Sequence, residues 1–122
     1  MSRKLDAAIA TELGWTDIGY KNYSWGMSKW WGKPPKSKEE RFGDERDYKD
    51  IPHYSTDGNA MLELDREMRE RGYGLAIFAG TNAFNARYAS NDGDLHESYA
   101  DTMPEAVTLA AYHALTGKEW TP

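Results

Sequence analysis

The sequence predicts an α+β domain in which helices flank a small antiparallel sheet. Amphipathic segments stand near both ends of the chain and in its middle, and two strand-like segments joined by a turn precede the last helix. Strands joined by a short turn pair antiparallel, and helices packed beside them give a layered α+β arrangement. A chain of 122 residues is long enough for one hydrophobic core, so we expect a single domain over 1–122.

The first predicted element is a short amphipathic helix over residues 2–13. Leu5, Ile9 and Leu13 recur at the spacing of one helical face. Gly14 follows at the position where a left-handed residue commonly ends a helix.

Strand-like residues come next and are followed by a long stretch without a period. The β-prone residues 15–24 predict a short strand. Pro34-Pro35 and the run of charges over 36–50 then predict an irregular aromatic and basic loop at about 24–52. Long aperiodic segments in a small domain are usually functional or disordered.

The second predicted helix begins near Ser55 or Thr56, either of which is a good N-cap, and ends at Gly72. Its apolar face consists of Met61, Leu64 and Met68. The opposite face carries charges that are mostly four residues apart, and we interpret it as a solvated face: Glu63, Asp65, Glu67, Arg69 and Arg71.

A hairpin is predicted from residues 73–79 and 84–88, with one buried face and one face that shows Asn85 and Arg87. Residues 95–99 predict a third short strand.

The last predicted helix begins with a capping box, Thr102-Met-Pro-Glu105, and ends at Gly117. Its alanine-rich stripe favours close packing against a sheet.

Charge and composition exclude several classes of protein. The net charge is −5, and the acidic excess lies in residues 62–122, so we expect no binding to duplex nucleic acid, whose affinity depends on phosphate neutralisation. The chain has no cysteine, which excludes disulfides, thiolate zinc sites and cysteine nucleophiles. No apolar run approaches the roughly 20 residues that span a bilayer, and we expect a soluble protein without a signal peptide or membrane partner.

No catalytic constellation is visible in the sequence, so we expect no enzyme activity, cofactor or metal. The three histidines, His53, His96 and His113, share no metal-ligand spacing, and residues 91–94 are typical of a turn. Ser55 has His53 two residues away, but an N-cap role is the stronger interpretation. Ser55 and Thr56 together also offer the elements of an anion site at a helix N-terminus.

The most informative stretch is 20–38, YKNYSWGMSKWWGKPPKSK, which gathers tryptophan and lysine without an acidic residue. A nucleotide needs a flat face for its base and cations for its phosphates. We therefore predict a ligand site, with two residues of the hairpin added to those of the stretch: Lys21, Trp25, Lys29, Trp30, Trp31, Lys33, Asn85 and Arg87. The alternative is that the tryptophans cover the core or a subunit interface. The adjacent Trp30 and Trp31 are expected to point in opposite directions.

Four segments resemble, in order and spacing, the phage ABA-sandwich domain family. They are LDAAIATELGW (5–15), GKPP (32–35), DIPHYSTDGNAMLELDREM (50–68) and MPEAVTLAAYHAL (103–115). Members of that family begin LDALVAE…GW, carry a GxPPG element and a (V/I)PxYSTD motif before a helix, and close with A-P-x-A-I-C-R-A-A-L. Here PPG is PPK, and the Cys-Arg pair is replaced by Leu109-Ala110 or nearby residues.

The resemblance implies an α/β/α layered sandwich and a phage origin, and it implies no established activity. With the basic aromatic stretch, it leads us to expect a non-enzymatic phage accessory protein in the host cytoplasm that sequesters an immune signalling nucleotide. The alternative is a protein–protein interaction module that binds a host or phage protein through an exposed aromatic patch. A homo-oligomer is expected in either case.

Overall fold

A computed structural model describes residues 3–22, 28–35 and 48–121 of the chain. Within them, three helices and two antiparallel three-stranded sheets form a layered α+β fold, which confirms the predicted class. In chain order the elements are α1 (Arg3–Glu12), β1 (Thr16–Asn22), β2 (Ser28–Lys33), β3 (Lys49–Asp50), α2 (Gly58–Glu70), β4 (Tyr73–Ala79), β5 (Phe84–Ser90), β6 (Leu95–Ala100) and α3 (Met103–Thr116).

The first sheet, β1-β2-β3, occupies a part of the chain for which a loop was predicted. The prediction was wrong for Ser28–Lys33 and Lys49–Asp50, while 24–27 and 36–47 lie outside the described residues. β2 carries one indole on each face, so its apolar and polar residues do not alternate as they do in most half-buried strands. Pairing with β1, from Asn22↔Ser28 to Thr16↔Lys33, supplies the hydrogen bonds that define the strand.

The second sheet, β4-β5-β6, contains the predicted hairpin and the predicted third strand. Its register pairs Leu75 with Tyr88 and Tyr88 with His96, so these three residues share one face. That face lies against α3, which packs on β5 and β6, while α2 contacts β4 and both α1 and α2 contact α3. The largest fully buried apolar side chains at this centre are Leu5, Ile9, Ile51, Leu64, Met68, Tyr88 and Val107.

A buried carboxylate joins α1 to the segment before α2. Asp6 is fully buried, its Oδ2 lies 2.6 Å from Nη1 of Arg3, and its Oδ1 accepts a 2.9 Å hydrogen bond from the backbone N–H of Ser55. The same Arg3 guanidinium donates to the carbonyl oxygens of Ile51 and Pro52. The Arg3 and Asp6 side chains of α1 therefore satisfy three backbone groups of the segment between β3 and α2.

The N-cap of α2 is Asp57, and the prediction of Ser55 or Thr56 was wrong. The Asp57 carboxylate accepts a 3.0 Å hydrogen bond from the N–H of Asn59, as an N-cap does. Ser55 is 1% exposed and its N–H is taken by Asp6. A turn over 53–57, closed by the N–H of Asp57 on the carbonyl of His53, delays the helix by two residues.

One residue on the supposedly solvated face of α2 is instead buried. Asp65 is 3% exposed, accepts a 3.1 Å hydrogen bond from the Tyr88 hydroxyl, and pairs with Arg69 at 2.6 Å. The i,i+4 spacing of Asp65 and Arg69 was visible in the sequence, but the hydroxyl from β5 that draws the carboxylate inward was not. The helix thus contributes a polar contact to the core beside its apolar face.

The N-cap and the C-cap of α3 are the predicted residues, although in the described structure the Glu105 carboxylate does not complete the capping box by accepting from the N–H of Thr102. The Thr102 hydroxyl accepts a hydrogen bond from the N–H of Glu105, and Gly117 has the left-handed φ of 73°. The small residues of the stripe, Ala106, Ala110 and Ala111, are fully buried and let the helix approach the sheet closely.

Replacing Asp6 with asparagine should destabilise the protein by about 3 kcal/mol, because it leaves Arg3 without its partner in a buried pair. The free energy of unfolding in urea measures the loss. Glu12→Gln, on the exposed side of the same helix, is the matched control and should change it by no more than about 0.5 kcal/mol. Equal effects of the two variants would show that the Asp6 contacts do not stabilise the fold.

Alkaline pH should destabilise the fold through two buried tyrosines. Burial, with nearby carboxylates, raises the pKa of Tyr54 and the pKa of Tyr88 well above the usual range. Each hydroxyl then ionises first in the unfolded chain, so its contribution is complete below about pH 10 and is lost above it, at about 1.4 kcal/mol per pH unit for each residue. Urea midpoints at pH 8, 10 and 11 measure this loss. It should be smaller in Tyr54→Phe than in the control Tyr99→Phe, whose side chain is exposed.

Candidate functional site

The outer face of the first sheet gathers most of the predicted basic and aromatic residues. Alternation along β2 places Lys29, Trp31 and Lys33 on this face, and the register adds Lys21 opposite Lys29. Tyr48 joins them, because the Lys33 ammonium lies 5.1 Å from the centre of its ring. We call these five residues the cationic face.

Trp30 points to the opposite face from Trp31, as predicted for two adjacent tryptophans. It packs against the hydrophobic core, and its ring lies 4.7 Å from that of Tyr20, centre to centre, at an angle of 39°. Trp30 therefore fits the alternative interpretation, in which a tryptophan covers the core. The structure does not bring it together with the lysines.

The Trp31 indole lies close against the neighbouring strand, and Gly19 makes this approach possible. A Cβ at Gly19 would lie 2.6 Å from Cζ2 of the Trp31 indole, which is far below a normal contact. The pair Gly19↔Trp31 sits next to a β-bulge that shifts the register of β1. A residue without a side chain thus lets the indole approach the sheet.

Two carboxylates missed by the sequence reasoning accompany the lysines. Lys29 pairs with Asp50 at 3.1 Å, and Lys33 lies 3.8 Å from Asp17. The side chains of Lys29 and Asp50 are 52% and 65% exposed, and such exposed pairs contribute at most about 1 kcal/mol. A ligand phosphate that approaches Lys29 therefore has to displace only the weak ion pair between Lys29 and Asp50.

A shallow groove of about 280 Å³ opens between β2 and β3 on this face. Its walls include Lys29, Trp31, Tyr48, Lys49 and Asp50. Tyr48 and Lys49 stood in the charge run that was interpreted as loop, and only the pairing of β3 with β2 brings them to Trp31. An aromatic pair with ammonium groups beside it can hold a flat anionic molecule.

Asn85 and Arg87 do not belong to the cationic face, because both lie on the outer face of the second sheet. Asn85 is 6% exposed rather than displayed to solvent, and its amide donates to the carbonyl of Ser98. Arg87 donates to the Asn85 amide oxygen at 2.9 Å, pairs with Glu97 at 2.9 Å and covers the ring of Phe78. The polar groups of Asn85 and Arg87 bond to each other and to Ser98 and Glu97. The structure therefore does not support the prediction that these two residues complete the ligand site.

The remaining predicted positions give no second site. The N–H of Ser55 is held by Asp6, and Asp57 places a carboxylate at the start of α2, so the geometry at Ser55 and Thr56 does not favour an anion. Trp25 lies outside the described residues.

Two histidines without a sequence pattern meet in space. The rings of His96 on β6 and His113 on α3 lie 4.8 Å apart, edge to face, and Nδ1 of each is buried without a hydrogen-bond partner. In the part of the chain that the structure describes, no group of three or more His, Asp or Glu side chains could hold a metal ion. The contact between the two rings packs β6 against α3.

No protein-family model, curated protein or solved structure matches the chain. The resemblance to the phage ABA-sandwich family stays a prediction from the four segments. Among the described residues, no helix is both long enough and apolar enough to cross a membrane.

Proposed function

We propose that this chain is a non-enzymatic binding protein whose cationic face holds a small anionic nucleotide. The observation that carries the proposal is the groove in which Trp31 and Tyr48 stand beside Lys29. A base stacked on an aromatic ring gains about 1–3 kcal/mol, and ammonium groups favour the phosphates.

The proposed ligand is small because the groove is small and the rest of the protein is acidic. About 280 Å³ accommodates one base or sugar rather than a strand, and the net charge of −5 opposes a polyanion. Lys33 rests on the Tyr48 ring and adds a third cation at one end of the groove. Together these features favour a small cyclic nucleotide, one base of which enters the groove.

The biological role that we propose follows from the resemblance to a phage family. The protein is a phage accessory protein that acts in the host cytoplasm and sequesters an immune signalling nucleotide. Sequestration requires affinity and no turnover, which agrees with a face built from lysine and aromatic residues.

Cyclic dinucleotides, cyclic trinucleotides and cyclic ADP-ribose isomers are the ligands to test. At least one should raise the melting temperature and be recovered intact after denaturation. Trp31→Ala should weaken its binding about tenfold or more in calorimetry, since it removes the stacking surface, while Trp31→Phe retains part of the affinity. Gly19→Ala should also weaken binding by displacing the indole.

The controls for these variants lie elsewhere in the chain. Gly58→Ala meets no atom within 4 Å and should leave binding unchanged, as should Lys118→Ala at an exposed position. The proposal fails if no nucleotide of the three classes shifts the melting temperature, or if Trp31→Ala binds like the unaltered protein.

A second candidate function, protein–protein interaction, is favoured by the outer face of the second sheet. The three large apolar side chains on it are more than half exposed: Phe78 at 54%, Leu95 at 54% and Tyr99 at 64%. The helices that contact this sheet bury its other face, where Tyr88 lies. Exposed aromatic side chains grouped on one sheet face are typical of interaction surfaces.

Under this second candidate, Tyr99→Ser should abolish an association that the unaltered protein shows. Native mass spectrometry and sedimentation measure self-association, and co-purification from bacteria reports a foreign partner. Leu62→Ser is the matched control, because Leu62 is 59% exposed but lies on α2. A monomer that co-purifies with nothing, or equal behaviour of the two variants, would contradict this role.

A further inference from the structure

A second cleft lies where the segments 5–15, 32–35 and 50–68 meet. It has a volume of about 140 Å³ and is bounded by the chain after α1, the chain after β2 and one side of α2. Its walls include Trp15, Pro35, Pro52, Tyr54, Glu63 and Glu67. None of these residues belongs to the cationic face, and neither proposed function uses them.

The back of the cleft is aromatic and rigid. Tyr54 is 4% exposed and lines the cleft together with Trp15. Pro35 and Pro52 complete the apolar wall, and proline holds its own backbone angle φ fixed. The Arg3 guanidinium anchors the carbonyl of Pro52, so this wall is preorganised before any ligand enters.

The open side of the cleft carries negative charge. Glu63 and Glu67 stand four residues apart on α2, so both reach the cleft from one helical face. Within the described residues neither carboxylate forms an ion pair. Arg66 also borders the cleft, which leaves one positive and two negative side chains there.

The raised pKa of Tyr54 also reflects the carboxylates at the cleft. Burial raises the pKa of its hydroxyl first, and the charges of Glu63, Glu67 and Asp6 raise it further. The carboxylates of Glu63 and Glu67 therefore lie close enough to the aromatic wall to act on a group bound there.

We propose that this cleft binds an organic cation, an alkylammonium or guanidinium group, between the Trp15–Tyr54 wall and the carboxylates of Glu63 and Glu67. The faces of tryptophan and tyrosine rings attract cations, and the two carboxylates supply the counter-charge. The volume is below the range of about 300–1,000 Å³ for pockets that take drug-sized ligands, so it suits a group the size of one basic side chain.

Titration of the ¹⁵N-labelled protein with n-butylammonium chloride tests the proposal. The reporter is the indole N–H resonance of Trp15, identified by its loss in Trp15→Phe. It should shift with saturation, whereas 1-butanol and sodium chloride at the same concentrations should not move it. If the neutral alcohol shifts it as strongly, the cleft is merely apolar and the proposal is wrong.

The charge requirement is tested by Glu63→Gln combined with Glu67→Gln. The double variant keeps the size of both side chains and should bind butylammonium at least fivefold more weakly. Glu70→Gln, an exposed position on the same helix, is the matched control and should bind as the unaltered protein does. Unchanged affinity in the double variant would overturn the proposal.

The source of the cation is decided by comparing two probes. Tighter binding of Nα-acetyl-lysine methylamide than of butylammonium identifies a basic side chain of a polypeptide, and the reverse order identifies a free amine. Binding of neither overturns the proposal. These outcomes are independent of the nucleotide tests, which use other residues and other ligands.

Discussion

The buried Asp6 carboxylate is the contact on which the rest of the arrangement depends. A charge taken out of water is stable only with close partners, and this one has the Arg3 guanidinium and the backbone N–H of Ser55. Together the two side chains hold the segment 51–55 against α1. That segment carries Tyr54 into the core and places Asp57 where α2 begins. Both the course of the chain and the position of the aromatic cleft therefore follow from one ion pair near the N-terminus.

The elements with local signals were predictable from sequence. Repeating apolar spacing identified all three helices, and the capping box with Gly117 bounded α3 within a residue. β2 was not predicted as a strand, because its two tryptophans lie on opposite faces and its apolar and polar residues therefore do not alternate. The N-cap of α2 was not predicted correctly, because Ser55, Thr56 and Asp57 are all residues that cap helices well. The contact of Ser55 with Asp6, which lies 49 positions away in the chain, determines which of them is the cap.

The candidate site could be predicted in part. The separation of Trp30 from Trp31 follows from strand geometry once a strand is assumed. Tyr48 and Asp50 reach the candidate site only because β3 pairs with β2. β3 has two residues, and no local sequence pattern predicts it. Asn85 and Arg87 were placed on the correct face of their hairpin. The sequence could not show that the hairpin and the cationic face belong to different sheets, because that separation arises only in the tertiary structure. It also could not show that Glu97 pairs with Arg87 and so occupies its polar groups.

The contact between α1 and the segment 51–55 also determines the order in which the protein assembles. α1 precedes both of its partners in the chain, since Ser55 follows Asp6 by 49 residues and α3 comes later still. An isolated helix of ten residues is marginal in water, and long-range closures are slow steps in folding. The hairpin of the second sheet has only local contacts to make. We therefore expect it to form before α1 docks, so that α1, although it precedes its partners in the chain, is among the last elements to reach its native place.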